Sequence, residues 1–106
     1  MPTIAIDFDG VLSLYNGDPD APPGPPVPDA REFVEKLLQQ RLEVVIFSSR
    51  DKETIAHWLQ AHGFPALSIV YKPPVVALID DRAVRFHGAF AGLSAKIWEN
   101  PWWKKT

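Results

Sequence analysis

Thr3 to Phe8 (TIAIDF) is apolar and β-branched until Asp7 interrupts it, which predicts a buried strand ending near that aspartate. Further along, Ala30, Phe33, Val34, Leu37 and Leu38 recur at helical spacing and form one apolar face. Asp29, with Glu32 three positions later, fits an N-cap and capping pair for that helix. Glu43 to Phe47 (EVVIF) reads as a second buried strand, closed by Ser48, Ser49 and Arg50. A second helix is predicted over 52–62, with Ile55, Trp58 and Leu59 inward and Gly63 just past its end. Ser68–Tyr71 is read as a short strand and Val75–Ile79 (VVALI) as a buried one stopping at Asp80 and Asp81. A last short helix over 92–99 leads into a tail, residues 98–106, whose Trp98, Trp102 and Trp103 are expected to pin it to the core beside Lys104 and Lys105.

Strands alternating with helices imply parallel pairing through right-handed crossovers. The expected fold is therefore α/β: a single-domain, three-layer, Rossmann-like sandwich around a small, mostly parallel sheet. One stretch stands outside the pattern. Six of the eleven prolines lie between Pro19 and Pro28, so residues 16–28 cannot be a helix interior or a central strand. They predict an extended surface loop joining the first strand to the first helix.

Composition narrows the class. The 106 residues, 46% hydrophobic and 23% charged, suit one globular domain. The absence of cysteine excludes disulfide scaffolds, thiolate metal sites and cysteine nucleophiles. No apolar run approaches the roughly 18 residues of a membrane span, and no basic signal-peptide start is visible, so the expected location is the cytoplasm. A net charge of −2 argues against a general nucleic-acid coat, though not against binding one strand end.

The polar residues share an address. Asp7, Asp9, Ser48, Asp80 and Asp81 all fall just past the C-terminal ends of predicted strands, where open α/β sheets bind ligands. Clustered carboxylates repel unless a cation compensates them. Oxygen donors without His or Cys point to a hard ion, Mg²⁺ first, which commonly takes a phosphate oxygen as a further ligand. A carboxylate beside such an ion can attack phosphorus. In DFDGVL (Asp7–Leu12), Asp7 and Asp9 stand two apart on an extended chain and point the same way, while Phe8 points behind them. Gly10 lets the backbone turn sharply and approach a phosphate.

Four segments in this order resemble the haloacid dehalogenase-like (HAD) superfamily, closest to its small phosphatase-like members of phage and bacterial type. They are DFDGVL, FSSR at Phe47–Arg50, Lys72, and LIDD at Leu78–Asp81. The resemblance implies a Mg²⁺-dependent phosphohydrolase that cleaves a phosphomonoester through an aspartyl-phosphate. Asp7 would be the nucleophile. Asp9 would protonate the leaving oxygen, then activate water, with its backbone carbonyl on Mg²⁺. Ser48, with Ser49 and Gly10 beside it, would bind the phosphate. Lys72 would neutralise charge on the phosphoryl group and on Asp7. Asp80 and Asp81 would complete the metal site. The implied substrate is a nucleotide, a nucleic-acid end or a small metabolite.

Two departures from the family follow. Only seven residues separate Lys72 from Asp80, where relatives usually carry a helix. In the family's strand order the third and fourth strands lie three spacings apart, about 14 Å, and four Cα steps from Tyr71 to Val75 cover at most about 14 Å. The crossing is barely feasible, so the Ser68–Tyr71 strand is the one expected to be short, displaced or absent. Neither usual insertion point has room for a cap domain, which implies a capless member with an open rim; a homo-oligomer would cover it. Two other classes compete. A phospho-receiver keeps paired acids after its first strand and its phosphoacceptor later, the reverse of the order here. A catalytically silent binding module would have lost a motif residue, and none is lost. Arg50, Arg82 and Arg85 are expected to pair with local acids.

Overall fold

The computed structural model describes residues 2–99. Strands β1 (Thr3–Ile6), β2 (Glu43–Ser48) and β3 (Ser68–Tyr71) alternate with helices α1 (Ala30–Gln39) and α2 (Lys52–Ala61), and helix α3 (Leu93–Glu99) follows. The sheet has the order β1-β2-β3 and both pairings are parallel, with Ile6 opposite Ile46 and Ser48 opposite Tyr71. All three strands therefore deliver their C-terminal ends to one rim. This is an α/β architecture of the Rossmann-like kind. No helix among the described residues is long and apolar enough to cross a membrane. Trp102, Trp103, Lys104 and Lys105 of the expected pinned tail lie outside the described residues.

The helical patterning forms the core as expected, with one edge trimmed. Ala30, Phe33, Val34 and Leu37 of α1 are buried, while Leu38 sits at the border of the face and stays exposed. Ile55, Trp58 and Leu59 of α2 are buried. Helix α2 starts on a true cap, because the Asp51 carboxylate accepts from Thr54 N at 3.0 Å. It ends in a Schellman turn, with Phe64 N donating to Leu59 O at 2.9 Å and Gly63 at φ 73°. The expected Asp29–Glu32 cap does not form. Asp29 adopts a left-handed conformation at φ 69° and makes no side-chain cap bond, and Glu32 pairs with Arg31 instead.

The larger correction concerns Val75–Ile79. No strand forms there, and Val76 and Ile79 are almost fully exposed, at 107% and 99%. The tight spacing does break one strand, but it is this one; Ser68–Tyr71 is well paired with β2. Beyond it the chain returns to the core through Phe86 and Phe90. Their rings lie 4.8 Å apart, and Phe90 stacks at 4.8 Å on Phe33 of α1.

The proline-rich loop is more than a connector. Leu14 N donates to Pro25 O at 2.8 Å and Val27 N to Leu12 O at 2.8 Å, which folds the loop back on the turn after β1. The Trp58 indole donates to Gly24 O at 2.8 Å from α2. A Cβ at Gly24 would collide with the Leu14 carbonyl oxygen, so a side chain there must push these two segments apart. Gly24→Ala is expected to destabilise the protein by about 1–3 kcal/mol, read as a lower urea midpoint at unchanged slope; an unchanged midpoint would show the loop is not packed against that turn.

Candidate active site

The site begins with a buried phenylalanine. Phe8, fully buried, packs edge-on against Trp58 with ring centroids 4.9 Å apart. Its carbonyl accepts from Leu12 N and Ser13 N, each at 3.0 Å, and from the buried Ser13 hydroxyl at 3.3 Å. The tight turn this makes needs a left-handed residue at Gly10, φ 82°. With Phe8 anchored below, Asp7 and Asp9 are left at the rim on either side of it.

Each carboxylate receives its own cation. Asp7 Oδ2 accepts from Lys72 Nζ at 2.8 Å, and Asp7 Oδ1 from Phe8 N at 2.7 Å. Lys72 follows directly on β3 and is held at both backbone ends. Its N–H donates to Ser48 O at 2.9 Å, and its carbonyl accepts from the Ser49 hydroxyl. Its ammonium also lies 5.8 Å from the Phe47 ring centroid. Asp9 takes a two-pronged contact from Arg50, Nε to Oδ2 at 3.0 Å and Nη2 to Oδ1 at 2.9 Å. Arg50 Nη1 donates to Ala21 O at 2.9 Å, so one guanidinium joins the first acid turn to the proline loop. The Asp9 carboxylate holds this guanidinium above its ordinary pKa, chiefly through that hydrogen bond and against the opposing cost of burial.

The remaining candidates divide into two groups. Ser48 is buried on the rim and accepts from Arg50 N at 3.1 Å, which leaves its own hydrogen to donate to a ligand. Ser49 is committed to the carbonyl of Lys72, and the Gly10 N–H to Ser13 O at 2.8 Å. Asp80 and Asp81 are not strand-end residues, because no strand precedes them. The Asp80 carboxylate accepts from Arg82 N at 2.7 Å and from its guanidinium at 3.4 Å. These bonds, the backbone one foremost, hold the Asp80 carboxyl below the usual carboxylate range. Among the described residues no three His, Asp or Glu side chains gather at metal-binding spacing. The structure thus brings Asp7, Asp9, Ser48 and Lys72 together and leaves Asp80 and Asp81 out of any such cluster.

Sequence reasoning assigned Arg50 to a local acid without choosing one. The signal is its place just past β2, beside a β1 whose end carries Asp9, and it becomes readable only with the register. A cleft of 240 Å³ opens beside the Asp9–Arg50 pair, walled by Leu14, Tyr15, Pro22 and Pro25 of the turn and the proline loop. That size suits a small group more than a whole drug-sized ligand.

No protein-family model matches the chain, and no curated protein matches it. Among solved structures it is similar to a structural-genomics target from Vibrio cholerae, 28% identical, with a TM-score of 0.67 over 80% of this chain and 84% of that one. A conserved protein from Bacteroides thetaiotaomicron is 24% identical, with a TM-score of 0.48 over 74% of this chain and 81% of the other. The first likeness extends this α/β arrangement to the Vibrio cholerae chain.

Arg50→Ala should strand a partly buried carboxylate and untie the loop at Ala21 together. The expected loss is about 2–3 kcal/mol in urea unfolding, with faster proteolytic nicking between Tyr15 and Pro26 under native conditions. Unchanged nicking would mean that Arg50 does not hold the loop.

Proposed function

We propose that this protein hydrolyses phosphomonoesters, with Asp7 as nucleophile. The observation that carries the reading is the Asp7–Lys72 pair at 2.8 Å, with Asp9 two residues on, held to the same rim by the burial of Phe8. A carboxylate with an ammonium on one oxygen and a serine hydroxyl beside it on the rim suits a dianionic phosphoryl group. The resemblance of DFDGVL and FSSR to motifs of small HAD-type phosphatases supports the same assignment.

In this reading a carboxylate oxygen of Asp7 attacks phosphorus, and the bond from phosphorus to the ester oxygen breaks. Asp9 gives its proton to the leaving oxygen. It then takes one from water as that water attacks the phosphorus of the aspartyl-phosphate, releasing phosphate and restoring Asp7. Lys72 offsets charge on the equatorial oxygens, and Ser48 donates to one of them. Arg50 is forked onto both oxygens of Asp9, so this contact must open for an Asp9 oxygen to meet the leaving oxygen or the attacking water.

Magnesium belongs to the proposal as the ion that Asp7, the Asp9 carbonyl, Asp80 and Asp81 would hold between them. When bound, it would offset phosphate charge and orient the ester. The donors clustered within one chain do not fit it by themselves, since Asp80 and Asp81 stand outside the cluster. That placement favours one second reading, a phosphate-binding module without turnover.

The test is phosphate release with Mg²⁺ and with EDTA from aryl phosphates, nucleotides, and 3′- or 5′-phosphorylated oligonucleotides. Asp7→Asn should lower turnover by more than about 1,000-fold. Asp9→Asn should cost about 100-fold or more on alkyl esters, and less on aryl esters, whose leaving oxygen needs no proton. Turnover that survives Asp7→Asn would reject the nucleophile. Silence of folded, Mg²⁺-supplemented protein on every substrate would favour the binding module.

A further inference from the structure

Two features of the fold lack partners and match each other. β1 is an edge strand among the described residues, and its outer side is open up to Asp7. Val75–Ile79 is a run of five apolar residues, strongly β-forming at Val75, Val76 and Ile79, that stands in solvent and ends in two acids. An open edge beside an exposed apolar run is the arrangement in which strands add to sheets. We propose that the 75–79 segment of a second copy of this chain pairs in parallel with the free edge of β1, reciprocally. Each protomer thereby delivers Asp80 and Asp81 to Asp7 of the other.

The chain's own segment cannot reach that edge. Tyr71 ends β3 at the C-terminal rim, and the outer side of β1 lies three strand spacings away, about 14 Å. A parallel strand must also start at the opposite end of the sheet, about 13 Å back for four residues. The combined path is about 19 Å, whereas four Cα steps from Tyr71 to Val75 span at most about 14 Å. Pro73 and Pro74 shorten that reach, since a polyproline stretch advances only about 3.1 Å per residue. Parallel crossovers normally take a dozen residues or more. An antiparallel run would turn Asp80 and Asp81 away from the rim.

A second copy has no such limit. The arm is anchored at Lys72 by the Ser48, Ser49 and Asp7 contacts, and again at Phe86 and Phe90 on α1, so residues 73–85 can extend as a loop without unfolding either end. Short proline-stiffened hinges that forbid closure within a chain favour exchange between chains, and reciprocal exchange makes a closed twofold dimer. The matching register sets Leu78 beside Ala5, Ile79 beside Ile6 and Asp80 beside Asp7. The delivery of the two acids rests on the phosphohydrolase reading; the strand exchange does not.

The test uses the whole chain and needs no activity. Wild-type protein should sediment at twice the chain mass at micromolar concentration. Val76→Asp with Ile79→Asp should halve that mass at unchanged far-ultraviolet circular dichroism, because both positions are solvent-exposed in the single chain. The chain has no native cysteine, so Ala5→Cys protein mixed with Leu78→Cys protein and oxidised should give a covalent heterodimer. A monomeric wild type, a dimer indifferent to the two aspartates, or Ala5→Cys/Leu78→Cys protein that closes its disulfide within one chain would each overturn the proposal. A dimer with the expected cross-link but no phosphatase activity would leave the exchange standing and remove the hydrolase reading. An active monomer would do the reverse.

Discussion

The site depends on the burial of one side chain, Phe8. An aspartate at the end of a strand would ordinarily sit in a solvated turn with no fixed direction. Here the residue between two aspartates is driven fully into the core against Trp58, and its carbonyl collects the backbone N–H groups of Val11, Leu12 and Ser13 and the Ser13 hydroxyl. Apolar burial on one side of the chain thus orients two charged groups on the other. The hydrophobic force sets the direction, and the hydrogen-bonded turn at Gly10 prevents the strand from continuing past it.

Two carboxylates fixed this close would repel each other, and the fold meets that repulsion with two cations taken from different strand ends. Lys72 comes from just past β3 and Arg50 from just past β2, so the ion pairs also tie the three strand ends together. The two are not equivalent. Arg50 is nearly buried and forked onto both oxygens of Asp9, with a third bond into the proline loop. Lys72 binds one oxygen of Asp7, whose side chain remains 38% exposed. A planar guanidinium suits a structural clamp, whereas a single ammonium leaves the more open carboxylate able to meet an incoming group.

The proline-rich loop and the arm after β3 show opposite uses of proline. Between Pro19 and Pro28, rigid extended segments lie down on the turn after β1, because Trp58 and Arg50 donate to their carbonyls and two backbone bonds tie them to Leu12 and Leu14. At Pro73–Pro74 the same stiffness points the chain away from its own sheet. An apolar run is then left exposed, and β1 is an edge strand among the described residues.

Much of this was legible in the residues alone. The helical faces, the strands TIAI and EVVIF, the Asp7–Phe8–Asp9 geometry and Gly63 as a helix stop all rest on local periodicity or backbone chemistry, which neighbouring residues decide. Burial of an apolar run is different, because it depends on a partner strand being within reach. VVALI has the composition of a central strand, yet the distance around the sheet from Tyr71 denies it that place within one chain. Asp29 has the identity of a cap but not the backbone angle, which the preceding proline loop imposes. The pairings of Arg50 with Asp9 and Lys72 with Asp7 join residues 41 and 65 positions apart. Nothing local marks them, and only the parallel register that sets Ile6 opposite Ile46 and Ser48 opposite Tyr71 brings those charges to one rim.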